Sequence, residues 1–124
     1  EAQRLFDAGA HIVQVNVWRP ISGPVKRSPL ALADASSVAP DELIATDQRF
    51  PDRVGEIYNV AHADTQRWYY APEMTRNEVI FIKGWDSIDD GRARFSPHGA
   101  FALRDSNDVP ARESIEGRTL VVIE

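Results

Sequence analysis

Residues 112–123 read RESIEGRTLVVI, and the alternation in this stretch decides the fold. Arg112, Ser114, Glu116 and Arg118 fall on one face of an extended chain. Ile115, Thr119, Val121 and Ile123 fall mainly on the other, with Gly117 between them. A period of two belongs to a β-strand, whose successive side chains point to opposite faces. Working back from it, residues 11–18, HIVQVNVW, have the same asymmetry: Val13, Val15 and Val17 oppose Gln14, Asn16 and Trp18. Residues 78–85, EVIFIKGW, set Phe81, Lys83 and Trp85 against Ile80 and Ile82. Shorter strands are expected over 29–34, 56–61, 67–71 and 98–103, the third of them rich in aromatic residues. Loops are expected over 19–28, which carry Pro20, Gly23 and Pro24, and over 46–53, 72–77, 86–97 and 104–111. Residues 1–9 read as the end of a helix capped by Gly9. A short helix is expected over 36–45, with Pro40 early and Asp41 and Glu42 at its positive end. Short strands separated by regular turn signals predict a mainly β chain with one or two short helices, built as a sandwich or barrel. The first helix is expected to pack outside the barrel.

Composition narrows the function. The 124 residues suit one domain or part of one, with room for a single core. A formal charge of −5, with only two lysines (Lys26, Lys83) among 14 basic residues, speaks against nucleic acid as a partner. No apolar run approaches the length that spans a bilayer, and no leader-like segment opens the chain, so a cytoplasmic location without membrane contact is expected. With no cysteine there is no disulfide framework, no thiolate nucleophile and no Cys-type zinc site.

The polar strand faces carry the functional signal. The plain reading turns them toward water, as in any half-buried antiparallel sheet. Yet Trp18, Trp68, Trp85 and Tyr70 alternate with Asn16, Lys83 and Arg112, and tryptophans suit solvent faces poorly. A lumen lined by aromatics with sparse polar anchors fits the mixture better. His98, in SPHGAF, opens a late strand, and Arg112-Glu113-Ser114 opens the next, 14 residues on. A histidine and an R-x-S so placed are the arrangement of non-haem iron, 2-oxoglutarate-dependent oxygenases. The imidazole would bind iron, the arginine's planar fork would grip the distal carboxylate of the co-substrate, and the serine hydroxyl would add a donor. Taken singly, His98 reads first as a buried histidine bonded to a backbone carbonyl, and Arg112 as an ion-pair partner of Glu113 or a nearby aspartate; only the pair, in this order and strand context, brings the functional reading level with these. His62-Ala63-Asp64 has the H-x-D form of the remaining iron ligands, 36 residues before His98. It sits too late in the chain for that role, and a loop histidine beside a turn aspartate is the plainer account.

NVWRP (16–20), GPV (23–25), SPLALAD (28–34), RWYY (67–70), EVIFIKGWDS (78–87), PHGAF (97–101) and RESIEGR (112–118) together resemble the AsaB/CmcJ-like hydroxylase/desaturase family, from about residue 10 to the end. The resemblance implies a double-stranded β-helix of the jelly-roll or cupin type, holding Fe(II) and 2-oxoglutarate. It implies hydroxylation or desaturation of a small secondary metabolite. It assigns His98 as an iron ligand and Arg112 and Ser114 as the 2-oxoglutarate clamp. Asn16, Trp18, Arg19, Lys83 and Asp86 match the family's N-x-W-R-P and K-x-W-D-S, as lumen lining or support, with Trp68 and Trp85 shaping the substrate pocket. Family members are longer, with their H-x-D upstream of the helix that begins here. The chain is therefore expected to be the C-terminal half of an incomplete barrel, and inactive alone, since one imidazole does not hold iron in an open facial site. Two other readings stay open: a non-catalytic small-molecule-binding barrel, and an iron oxidase of this family that does not use 2-oxoglutarate.

Overall fold

The computed structural model describes residues 1–104 and 108–123. In chain order its elements are α1 (Ala2–Asp7), β1 (His11–Pro20), β2 (Leu30–Ala33), β3 (Leu43–Arg49), β4 (Val54–Val60), β5 (Trp68–Tyr70), β6 (Ile80–Asp86), β7 (His98–Ala100) and β8 (Ser114–Ile123). β1 and β8 are the longest, and they lie antiparallel through ten matched positions from His11↔Ile123 to Pro20↔Ser114. β6 pairs antiparallel with the other edge of β1, giving a sheet of order β6-β1-β8. A second sheet has the order β5-β2-β7, and β3 and β4 form a separate hairpin. The expected loop over 104–111 includes residues 105–107, which lie outside the described residues.

Opposed residues in a register share a face, so the pairing sorts the side chains. Asn16 opposes Ile82 and Arg118, and Trp18 opposes Ile80 and Glu116. Val15 opposes Lys83 and Thr119, and Val17 opposes Phe81 and Gly117. The core comprises Trp18, Val25, Leu30, Met74 and Ile82, with Leu32 and Ile80 packed against it. The Asn16–Trp18 face of the first sheet therefore meets the Leu30–Leu32 face of the second, while Phe81 on the valine face lies open to solvent. Burial here follows position between the sheets rather than side-chain polarity, and Asn16 is only 3% exposed.

One irregularity moves two residues the alternation had grouped. The register slips between Val15↔Lys83 and Gln14↔Trp85, leaving Gly84 unopposed as a β-bulge. Lys83 consequently stands on the valine face, Trp85 on the face of Gln14, and Asp86 opposite Val13. A Cβ at Gly84 would lie 3.1 Å from the Gln14 amide carbon, so glycine lets that side chain lie across the bulge.

The helix expected over 36–45 does not form. Residues 35–37 and 40–42 make two 3-10 turns, and the chain enters β3 at Leu43. Pro40 restricts its predecessor to extended backbone, and Ala39 has φ −74° and ψ 149°, which stops a helix from continuing across the junction. The expected loop over 46–53 is likewise strand to Arg49, followed by a tight turn closed by the Phe50 N–H on the Arg53 carbonyl, 2.9 Å. β1 runs two residues past Trp18, because Arg19 and Pro20 still have partners in Ile115 and Ser114. α1 stacks Phe6 on Trp85, ring centroids 5.8 Å apart, beside Ile12 and Leu120. Its contact is with the far end of the Gln14–Trp18 face, rather than with the valine face.

The two sheets do not close into a barrel. Among the described residues, β8 has one neighbour, β1, and β7 has one, β2. Along β8 the side chains of Ile115, Leu120, Val121, Val122 and Ile123 are exposed.

Candidate metal and carboxylate site

His98 is the first residue of β7 and opposes Leu32, whose side chain packs on the core. Its face is therefore the one turned toward the first sheet. Its Nδ1 lies 2.8 Å from the Ser96 carbonyl oxygen. A carbonyl only accepts, so Nδ1 carries the proton, and in the neutral ring Nε2 presents its lone pair. That is the tautomer a metal-binding imidazole needs, and a carbonyl is a usual partner for the other ring nitrogen.

Arg112 leads into β8 from the adjoining sheet. Its guanidinium carbon sits 5.4 Å from the centre of the buried Trp18 ring, and Nη1 donates to the Ser28 carbonyl at 2.6 Å. A cation over an indole face, tied to a backbone oxygen, is held in one orientation. Two residues on, Ser114 opposes Pro20 on the interior face and is half-buried. Trp18, Leu30 and Leu32 thus join the footing of His98 to that of Arg112 through one core.

Asn16 joins the same interior. Its Nδ2 donates to Glu116 Oε1 at 2.7 Å, and its Oδ1 accepts from Gln14 Nε2 at 3.3 Å. Trp85 lies toward the α1 end of that face. Trp68 is elsewhere: it opposes Ala33, on the face of the second sheet turned away from Leu30 and Leu32. There it lines an open apolar groove of about 500 Å³ with Ala31, Tyr70, Gly99 and Phe101. Arg19 also leaves the interior, since it is exposed and donates to the Arg76 carbonyl at 2.5 Å.

Lys83 and Asp86, expected in the lumen, meet on the valine face instead. The near-buried Asp86 accepts from Lys83 Nζ at 3.0 Å and from the Ile88 N–H at 3.0 Å, and pairs with His11 Nε2 at 2.9 Å. The Ile88 N–H first, and then Lys83, hold the Asp86 carboxyl well below the usual carboxylate range. The cluster fastens the start of β1 to the end of β6. The sequence reading missed His11 as its third member; the signal was the antiparallel register, which brings the first residue of one strand to the last of another.

His62 and Asp64 stand 3.9 Å apart and are both exposed. Among the described residues no three His, Asp or Glu side chains are grouped to hold a metal, so this pair does not converge on His98. An exposed loop contact at 3.9 Å is what the H-x-D form makes here. At the edge of β2, Asp34 is drawn down to about 2 by the Ser36 hydroxyl and then by Arg67. It caps the first 3-10 turn by accepting from the Ser36 N–H, a structural task.

The family described as an oxidoreductase/YMDC permease-like domain matches residues 1–122. Aspirochlorine biosynthesis protein N of Aspergillus oryzae is 41% identical, covering 100% of this chain and 52% of that protein. Hydroxylase/desaturase asaB of Aspergillus flavus is 40% identical over 89% of this chain and 55% of its own length. Among solved structures, the iron and alpha-ketoglutarate-dependent endoperoxidase NvfI superposes with a TM-score of 0.83 at 31% identity, covering 98% of this chain and 44% of that one. The chain spans about half the length of these relatives. No helix among the described residues is long and apolar enough to cross a membrane. With the motifs of the strands, the match to residues 1–122 and relatives of this kind in agreement, the chain belongs to the AsaB/CmcJ-like hydroxylase/desaturase family of oxidoreductases.

Proposed function

We propose that this chain is the C-terminal half of an Fe(II)- and 2-oxoglutarate-dependent oxygenase that hydroxylates or desaturates a small secondary metabolite, in a cytoplasmic setting. The observation that carries the reading is the Nδ1–H of His98 on the Ser96 carbonyl, which leaves Nε2 free on the face that meets the core under Arg112. His98 suits iron as one donor. The described residues do not group the other two with it, so a complete metal centre requires ligands from beyond the described residues. When bound, iron with 2-oxoglutarate and oxygen supplies the oxidising power to break an unactivated C–H bond.

The chain's own residues bind and orient. Arg112, fixed over Trp18, offers its remaining N–H donors to the distal carboxylate of 2-oxoglutarate, with the Ser114 hydroxyl alongside. Trp18, Ile80 and Ile82 give an apolar wall that keeps water from the reacting face. Asn16 and Glu116 provide the sparse polar contacts by which a substrate is placed. The test uses the longer protein that contains this chain, loaded with Fe(II). Substrate-independent decarboxylation of 2-oxoglutarate is expected, falling to background in His98→Ala. Decarboxylation that survives that change overturns the assignment of His98.

A further inference from the structure

The loop after β1 and the segment before β8 enclose a pocket of about 340 Å³ whose lining includes Val25, Lys26 and Arg112. Two of its walls are cationic and none is acidic. The protein carries 19 acidic residues against 14 basic, and most of its arginines close to carboxylates are paired with them. Yet among the described residues no carboxylate lies within ion-pair distance of Lys26 or Arg112. Arg112 spends one N–H on the Ser28 carbonyl, which is neutral, so its charge is not compensated there. Val25 belongs both to this pocket and to the core around Trp18, so the pocket adjoins the ring that Arg112 covers. Two cations brought to one concave site without an internal counter-charge favour an anion from outside, and a partly enclosed site strengthens the attraction.

We propose that Lys26 is a second cationic anchor, sharing with Arg112 the distal carboxylate of 2-oxoglutarate in the pocket between residues 22–26 and 110–112. This rests on the proposed co-substrate role of Arg112 and adds to it a residue that fixes the dicarboxylate requirement. Arg112 orients the carboxylate with its planar fork, and Lys26, an exposed point charge on a flexible stem, adds attraction with little geometry. Its contribution is accordingly smaller and more sensitive to salt.

The experiment is calorimetric titration of 2-oxoglutarate into the longer, metal-loaded protein, for the wild type, Lys26→Gln, Lys26→Glu, Lys26→Arg and Arg112→Ala. Lys26→Gln should weaken binding about fivefold, as an exposed ion pair does, with the difference shrinking at high salt. Lys26→Glu should weaken it further, and Lys26→Arg should restore it. 2-Oxopentanoate, which lacks the distal carboxylate, should bind the wild type and Lys26→Gln equally. Equal 2-oxoglutarate affinity in wild type, Lys26→Gln and Lys26→Glu, with Arg112→Ala still impaired, overturns the role of Lys26 and leaves that of Arg112 standing. Unchanged affinity in Arg112→Ala as well overturns both. Because Lys26 is exposed and has no ion pair among the described residues, its variants should unfold at the wild-type temperature, which separates lost binding from lost fold.

Discussion

At the scale of the residue, Arg112 and His98 are held by opposite devices. Arg112 is held by what lies beneath it, the Trp18 ring and the Ser28 carbonyl. His98 is held by one hydrogen bond at Nδ1, which settles its tautomer as well as its direction. Arg112→Ala in the longer protein is expected to weaken 2-oxoglutarate binding by about 2–5 kcal/mol, the cost of removing a charge-assisted contact. Arg112→Lys should recover only part of it, because an ammonium lacks the paired donors of the fork. Equilibrium titration of both variants checks this, and equal affinities in wild type and Arg112→Ala would refute it. Asp34 offers a second check on single-residue electrostatics. Its carboxyl lies at about 2 against an ordinary 3.8, so its bonds to Ser36 and Arg67 support the fold above about pH 4 and lose that support as the pH falls toward 2. A carbon-detected NMR titration should place its midpoint near 2, and a midpoint in the ordinary range would show that these bonds do not persist in solution.

At the scale of the element, β6 shows how much a strand's reading depends on one glycine. The alternation of residues 78–85 correctly marked a strand and separated Ile80 and Ile82 from Phe81 and Lys83, but the face it gave to the lumen was that of Lys83, whereas Ile80 and Ile82 are the pair that packs on the core. It could not show that Gly84 bulges, because a bulge is a property of the pairing with Gln14 and Val15 rather than of the strand alone. Lys83 and Trp85 were therefore grouped, although they stand on opposite faces. The interior character of Asn16 and Trp18 was legible, since tryptophans alternating with polar residues rarely suit a solvent face. The pairing of His98 with Leu32 and the stacking of Arg112 on Trp18 needed the fold, because they join residues from distant parts of the chain. Residues 36–45 misled for a local reason, as Pro40 opens a helical turn and also forbids helix before it. Two changes test this level. Gly84→Val should destabilise by about 0.5–1.5 kcal/mol in urea unfolding, because the end of the Gln14 side chain must move aside and give up its bond to Asn16. A neutral result would mean that the bulge does not need glycine. Asp86→Asn should lower the unfolding temperature at pH 7 more than Asp90→Asn does, since Asp86 is near-buried among Lys83, His11 and the Ile88 N–H, whereas Asp90 pairs at the surface with Arg92. The Asp86 carboxyl is depressed, so its contribution is present above the usual carboxylate range and fades as the pH falls below it. The two variants should accordingly converge with the wild type in acid.

At the scale of the whole molecule, the two sheets share a core but leave β7 and β8 with one open edge each among the described residues. The apolar, exposed flank of β8 is a ready template for another strand. The 124-residue chain is expected to associate with rising concentration in sedimentation experiments, and a strict monomer across a wide range would contradict that. His98 lies on β7, the other strand with an open edge, and one imidazole alone does not retain iron. The most direct measurement is therefore the binding of Fe(II) and of 2-oxoglutarate to the longer protein as wild type, His98→Ala and Arg112→Ala. The account predicts that His98→Ala loses the metal, while Arg112→Ala keeps the metal and loses 2-oxoglutarate. Retention of iron by His98→Ala, or of full 2-oxoglutarate affinity by Arg112→Ala, would contradict it.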